Sequence, residues 1–157
     1  MFKISRLTDY SVLILSCLSR DAAVHVSART LSEYTGIPLP TVSKILKKLS
    51  AAEIIVSHRG TQGGYCLVHN VMNISLAQIV EAIEGDIAIT PCISGACVCE
   101  SLSCNFKSQW AWVHQQLYAV ISNISLHDIM HADANHKIES PLYFIEKSSA
   151  LINEKEA

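Results

Sequence analysis

The sequence predicts a mostly helical chain with one small β-hairpin, and three observations support this prediction. In several segments apolar residues recur every three or four positions, which is the spacing of one helix face. Serines stand before these segments and glycines after them, as at helix ends. Residues 54–58 and 64–69 form two short β-prone runs that flank a glycine-rich turn.

Three helical segments lie before the predicted hairpin. The first has Thr8 or Asp9 as its candidate N-cap, followed by apolar residues at helical spacing. The second begins at a capping serine, Ser27, and ends at Gly36, after a short extended piece at residues 24–26. The third follows at once, with two prolines suited to its first turn and an apolar stripe that leaves its three lysines largely outside.

After the hairpin, the sequence predicts a helix, a stretch without periodicity and a second helical region. A capping box of Ser75 and Gln78 starts a helix that ends at Gly85, and the stretch from there to Cys104 shows no periodicity. A long helix and one short helical turn follow. The long helix has apolar positions alternately three and four residues apart, a seam of the coiled-coil kind, formed by Trp110, Val113, Leu117, Val120 or Ile121, and Ile124.

Helix, short helix, tight turn, helix and hairpin is the element order of a winged helix-turn-helix. The order predicts a winged helix-turn-helix DNA-binding domain over residues 1–85, a cysteine-rich loop over 86–104 and a dimerisation helix region over 105–131. Residues 132–157 are predicted to be a tail of weak periodicity. A small helical domain with a surface hairpin is the alternative interpretation of the same order.

The charges of the two halves of the chain differ although the net charge is only −2. Residues 1–69 hold eight Lys or Arg and four Asp or Glu, a net of +4, and residues 70–157 hold a net of −6. A basic front half favours a polyanionic partner. The apolar runs are too short to span a bilayer and no secretory signal is evident, so we expect a cytoplasmic protein without a membrane partner.

Clustered cysteines are the second chemical signal. Four of the six cysteines fall within thirteen residues in the pattern C-x4-C-x-C-x4-C. In the cytoplasm such clusters more often bind metal than form structural disulfides, and thiolates suit iron–sulfur clusters and zinc. Cys17 and Cys66 are predicted to be buried thiols outside this site, and the seven histidines show no metal-binding spacing.

Three segments of this chain resemble the winged-helix regulators that include IscR and NsrR. They are "ISRLTDYSVLIL", "TGIPLPTVSKILKKLSAAEIIVSHRGTQGGYCL" and "ISLAQIVEAIEGDIAIT", and the resemblance runs from about Met1 to Met130. The SUF-system regulators of iron–sulfur assembly are the branch that the chain resembles most. The resemblance implies a homodimer that is not an enzyme, a pseudo-palindromic DNA operator, repression of assembly genes, and a 2Fe–2S cluster in preference to a 4Fe–4S cluster.

The resemblance also implies which residues contact DNA. Lysines would pair with phosphates, while Thr41 or Ser43 would read bases, and Arg59 would enter the adjacent minor groove. His58, beside Arg59, is a further candidate for a phosphate contact. The residues that match the family's DNA-contacting positions are Lys3, Ser5, Arg6, Thr41, Ser43, Lys44, Lys47, Arg59, Gly60 and Gln62.

The fourth cluster ligand is where this chain departs from the family pattern. Cys92 and Cys104 match the outer two of the family's three loop cysteines, and the middle one matches either Cys97 or Cys99. The position of the IscR-type histidine is Lys107, which has no lone pair at neutral pH. Two candidates stay open, namely the surplus cysteine and Asp9. Asp9 matches an NsrR-type aspartate ligand, but it is also a candidate N-cap of the first helix, and the two roles compete.

Two rival functions remain at the level of the sequence. One keeps DNA binding but replaces the cluster with zinc or with a disulfide between loop cysteines. The other is a thiol or electron-transfer protein that does not bind DNA. The sequence offers no CxxC redox pair, no nucleophile–base arrangement and no phosphate-binding loop for that class.

Overall fold

The computed structural model describes residues 4–20, 25–60, 63–90, 93 and 106–132, and these form a mostly helical fold with one hairpin, as predicted. The 3-10 turn Val71–Asn73 was not predicted from the sequence. The elements of the described residues are α1 (Arg6–Arg20), α2 (Ala28–Thr35), α3 (Leu39–Ala51), β1 (Ile55–His58), β2 (Gly64–Leu67), α4 (Leu76–Glu84), α5 (Lys107–Ser122) and α6 (Leu126–His131).

Local hydrogen bonds set the ends of α2 and α4 where the sequence predicts them. The Ser27 side chain accepts the Thr30 N–H at 3.1 Å, and Gly36 ends α2 in the left-handed conformation at φ 70°. A residue with a Cβ is strained at that φ, which explains the glycine. Ser75 and Gln78 form the predicted capping box at the start of α4.

The start of α1 differs from the sequence prediction. The helix begins two residues before Thr8, and the Ser5 hydroxyl accepts the N–H groups of Leu7 and Thr8 at 3.1 and 3.4 Å. Ser5 is therefore the N-cap, and the assignment of that role to Thr8 or Asp9 was wrong. The apolar pattern of α1 begins about one turn after the helix itself, so the predicted start was too late.

The hairpin is joined on its β2 side by the segment before α2. Strands β1 and β2 pair antiparallel, with Val56 opposite Cys66. Val26 and Tyr65 exchange backbone hydrogen bonds of 3.1 and 2.9 Å, so the predicted extended piece is confirmed at Val26. A Cβ on Gly64 would lie 2.8 Å from the Val26 carbonyl, so this glycine is what permits the close approach.

The core lies between the helix-turn-helix, the hairpin and the last helices. The predicted apolar stripe of α3 is fully buried, and Ile14 and Leu15 of α1 and Leu31 of α2 pack into the same cluster. Burial of one such side chain contributes about 1.5–3 kcal/mol to folding. The buried α3 side chains are Val42, Ile45, Leu46 and Leu49.

Two backbone hydrogen bonds fix the far end of α5 to this core. The Leu76 N–H donates to the Ile124 carbonyl, and the Leu126 N–H donates to the Ile74 carbonyl, both at 2.7 Å. Leu126 is fully buried in the main hydrophobic cluster. Helix α6 is thereby attached to the start of α4. Among the described residues, no helix is long and apolar enough to cross a membrane.

Candidate nucleic-acid interface and metal site

The outer face of α3 is polar and exposed. Ser43, Lys44 and Lys47 project from the side of the helix opposite its buried stripe. Thr41 lies half-buried in the first turn, where its N–H donates to the Pro38 carbonyl at 2.8 Å. One helix thus presents two free ammonium groups and one exposed hydroxyl to the solvent.

The third lysine of α3 has a different role from its neighbours. The Lys48 ammonium donates to the Ile83 carbonyl at 2.5 Å, in the last turn of α4. That carbonyl belongs to a helix end, where carbonyl groups lack partners within the helix and where positive charge is favourable. Lys48 therefore holds α3 against α4, whereas Lys44 and Lys47 point outward.

A polar cluster of Ser5, Thr8, Lys48 and Glu84 joins the start of α1 to the end of α4. The hydroxyls of Ser5 and Thr8 both donate to Glu84 Oε1, the second at 2.5 Å. The hydrogen bonds from Ser5 and then Thr8 lower the pKa of the Glu84 carboxyl, and the charge of Lys48 adds to the effect. Ser5 was proposed to contact DNA, and its hydroxyl is engaged in this cluster.

The hairpin turn presents the predicted wing residues to the solvent. His58, Arg59 and Gly60 are all exposed, and the Gly63 N–H closes the turn by donating to the Gly60 carbonyl at 3.0 Å. Arg6 is likewise exposed at the start of α1. Lys3 and Gln62, the remaining predicted DNA contacts, lie outside the described residues.

Asp9 lines a groove of about 370 Å³ between α1 and α6. Arg20 and Met130 also line this groove, and Asp9 is exposed. Because Ser5 caps α1, the Asp9 carboxylate is not required for capping and remains available for a ligand role. Its proposed partners Cys92, Cys97, Cys99 and Cys104 lie outside the described residues.

The predicted seam of α5 is open to solvent in the single chain. Trp110 is 43% exposed, Leu117 50% and Val120 36%. The remaining seam residues, Val113, Ile121 and Ile124, are partly buried. Trp112 is 63% exposed and lies beside this seam. The helix therefore leaves several large apolar side chains uncovered along one seam.

One side of α5 contacts α4 through Tyr118. Its hydroxyl donates to Glu81 Oε2 of α4 at 3.3 Å. Burial and the neighbouring Glu81 carboxylate raise the pKa of Tyr118 above its ordinary value. Helix α4 is thus hydrogen-bonded to α5 at Glu81 and to α3 at Ile83.

The structure also brings together three side chains that sequence spacing did not connect. Metal-binding atoms of His25, His58 and Cys66 all lie within 4.8 Å of one another. Cys66 is half-buried, as is Cys17, so the prediction of two buried thiols was only partly right. The three residues meet through strand pairing, and no sequence motif signals such a meeting.

A protein-family model matches this chain over most of its length. The model for Rrf2, described as an iron-dependent transcriptional regulator, matches residues 4–132. This match covers most of the chain. The chain belongs to the Rrf2 family.

Individual relatives agree with the family match. IscR of Vibrio vulnificus is 28% identical over 116 residues, which cover 70% of this chain and 68% of the relative. The solved structure of T. potens IscR aligns with a TM-score of 0.61 at 24% identity, and covers 90% of this chain and 96% of that one. The solved structure of CymR, the global cysteine regulator of B. subtilis, aligns with a TM-score of 0.65 at 21% identity, and covers 85% of this chain and all of that one.

These comparisons determine the general activity of this family member. It is a winged-helix DNA-binding transcriptional regulator, and its relatives are regulators rather than enzymes. In the described residues, the polar face of α3 and the wing residues 58–60 are exposed.

Proposed function

We propose that this chain is a homodimeric repressor of iron–sulfur assembly genes that senses cluster status or redox state through a bound iron–sulfur cluster. The observation that carries the DNA-binding part is the division of α3 into a buried apolar stripe and an exposed face with Ser43, Lys44 and Lys47. A helix held in this way can enter the major groove without losing core contacts.

The DNA contacts divide by chemistry. Lys44 and Lys47 neutralise phosphates and set affinity, while Ser43 and Thr41 read base edges in the major groove. Arg59 enters the adjacent minor groove, where a narrow groove concentrates negative potential. Lys3, Arg6, Gly60 and Gln62 make backbone contacts at the margins of the site, as does His58. Two such units related by a two-fold axis require a pseudo-palindromic operator.

The dimer forms through α5. Its exposed apolar residues repeat at coiled-coil spacing, and packing them against the same helix of a second copy removes them from water. The end of α5 is fixed to α4 by Tyr118 and by the backbone bonds near Ile124, so the two DNA-binding parts take a defined separation.

The cluster would be held by the loop cysteines. Cys92, Cys104 and either Cys97 or Cys99 supply thiolates, and the fourth ligand is the remaining thiol or Asp9 of the partner subunit. The donor set fits, because thiolates are the usual ligands of such clusters and because Asp9 is exposed on α1 and free of capping. When bound, a cluster of the favoured 2Fe–2S type supplies a group whose presence and oxidation state report iron and oxidant supply.

The chain itself offers a route from the loop to the DNA-binding surface. The loop follows α4, and the last turn of α4 holds α3 through Lys48 and α1 through Glu84. Residues 85–90 connect that turn to the start of the loop. A change in the loop's shape therefore acts first on the helix end that positions α3, which is how loop occupancy changes operator affinity.

The test is anaerobic purification followed by iron, sulfide and zinc counting. We expect a brown protein with visible charge-transfer absorption. If Asp9 is a ligand, Asp9→Ala should lower the iron content. If Cys99 is a ligand, Cys99→Ala should lower it as well. Glu33→Ala and Cys17→Ser are matched controls that remove an exposed carboxylate from α2 and a half-buried thiol from α1. Neither control changes iron content.

DNA binding is measured on the same preparations. Anisotropy titrations with the chain's own upstream region, and with promoters of assembly genes, compare the cluster-loaded and cluster-free forms. A colourless protein whose zinc is lost when the four loop cysteines are replaced by serine would favour the zinc-dependent alternative. Equal affinity of both forms for every promoter would contradict cluster sensing but not DNA binding. A complete lack of DNA affinity at low salt would favour the thiol or electron-transfer alternative.

A further inference from the structure

The base of the wing carries a group of metal-binding side chains outside the cysteine loop. His25 lies in the segment before α2, His58 ends β1, and Cys66 lies in β2. Their ligand atoms are within 4.8 Å of one another, and the rings of the two histidines are stacked at a centroid distance of 4.1 Å. Three different chain segments therefore contribute to one small patch.

Strand register explains why these side chains meet. Val26 pairs with Tyr65, which places His25 opposite Cys66, and Cys66 is in turn opposite Val56. Residues that are opposite each other project from the same face of a sheet, and so do residues two apart on one strand. His58 therefore shares that face, in the neighbouring row.

Gly64 completes the arrangement. It is opposite His58 and has no side chain, so nothing stands between the His58 ring and His25. It also permits the close approach of residues 25 and 26 to β2, because a Cβ there would lie 2.8 Å from the Val26 backbone. The same residue thus brings the third segment in and leaves room for the metal-binding atoms.

We propose that His25, His58 and Cys66 form a three-ligand site for a zinc-type divalent cation, with a water molecule in the fourth position. Two imidazoles and one thiolate are a donor set that zinc and cobalt accept, and sites with three protein ligands keep an open position. Metal–ligand bonds of about 2.0–2.3 Å require ligand atoms about 3.3–3.6 Å apart in a tetrahedral site. Both histidines are exposed, so their rings are free to close the remaining gap of about 1 Å.

The consequence would be a metal-dependent wing. The bound cation joins the segment that precedes α2 to both strands of the hairpin, and His58 is adjacent to Arg59 in sequence. Occupancy fixes the wing relative to the helix-turn-helix and adds positive charge beside the proposed minor-groove contact. This site shares no residue with the cysteine loop and does not depend on an iron–sulfur cluster.

The test measures zinc protection of individual cysteines in the full chain. Alkylation followed by peptide mass spectrometry gives the rate at Cys66 and at Cys17, with and without added Zn²⁺. We expect zinc to slow alkylation of Cys66 at least tenfold, and His25→Gln or His58→Gln to abolish that protection. His69→Gln removes an exposed histidine just after β2 and should leave the zinc protection of Cys66 unchanged.

A second measurement separates this site from the cysteine loop. In a variant whose four loop cysteines are serines, Co²⁺ titration should give one equivalent per chain with a sulfur-to-cobalt charge-transfer band, and Cys66→Ser should remove the band. Circular dichroism of each variant without metal checks folding. Unchanged alkylation of Cys66 in the presence of zinc, or protection that survives both histidine substitutions, would overturn the proposal.

Discussion

Lys47 and Lys48 are adjacent in the sequence, yet the structure predicts opposite effects of replacing them. The Lys47 ammonium is exposed on the proposed DNA face, whereas the Lys48 ammonium donates to the Ile83 carbonyl at 2.5 Å. Substitution with methionine keeps most of the side-chain stem and removes the ammonium group, with its charge and its N–H donors. The matched set is therefore Lys44→Met, Lys47→Met and Lys48→Met, made singly and with the first two combined.

The expected magnitude follows from the number of phosphate contacts. Each neutralised phosphate contributes about 0.9 to the slope of log affinity against log salt concentration. Two lysines in each of two subunits give a slope that is shallower by about 3.6 in the Lys44→Met/Lys47→Met variant. Between about 50 and 200 mM salt, the wild-type protein should lose about 100-fold more affinity than this variant.

Lys48→Met should show the reverse pattern. The salt slope should stay close to the wild-type value, because this ammonium is not free to reach a phosphate. Loss of its hydrogen bond to a helix-end carbonyl should lower the free energy of unfolding by about 1–2 kcal/mol. Lys44→Met and Lys47→Met should leave stability within about 0.5 kcal/mol of wild type, as surface substitutions do.

The assays are fluorescence anisotropy on operator DNA over a series of salt concentrations and urea unfolding followed by circular dichroism. A monomeric binder would show half of the expected change in slope, so the experiment also counts subunits on the DNA. The reasoning is refuted if Lys48→Met lowers the slope as much as Lys47→Met does. It is also refuted if the double variant keeps the wild-type slope.

Three further predictions concern other parts of the fold. Arg59→Ala should weaken operator binding by about 1–3 kcal/mol, and a gel shift at wild-type strength would contradict its groove contact. The lowered pKa of Glu84 means that its contribution to stability is present above the ordinary glutamate pKa and is lost as the pH falls through the lowered value. Glu84→Gln should thus lower the Tm by about 1–2 °C at pH 7, because solvent screens this exposed carboxylate, and by less at pH 3. An equal loss at both pH values would exclude the charge as the cause. Leu117→Glu should give a monomer in light scattering because it places charge in the α5 seam, whereas Gln115→Glu on the opposite face should stay dimeric.

Most of the secondary structure could be predicted from the sequence because its signals are local. Helix caps, apolar periodicity and the glycine-rich turn each lie within a few residues of the element that they define. The element order followed from these signals, and the structure confirms it. The Rrf2 match confirms the resemblance at the level of the family. The one clear error at a helix start arose at Ser5, which precedes the apolar pattern by a full turn.

Which polar residues are free for a partner was decided only by the tertiary structure. The sequence shows that the lysines of α3 lie off its buried stripe, but the carbonyl that engages Lys48 belongs to α4, 35 residues away. Likewise, Ser5 and Thr8 find Glu84 across 76 or more residues, a contact that no local pattern signals.

The wing-base group shows the same limit most clearly. His25, His58 and Cys66 are far apart in the chain and follow no ligand spacing. They share one face only because of the hairpin register, the Val26–Tyr65 bridge and the space left by Gly64. Sequence patterns report a residue's own helix or strand, whereas a site built across strands depends on register and close approach, which only the folded chain sets.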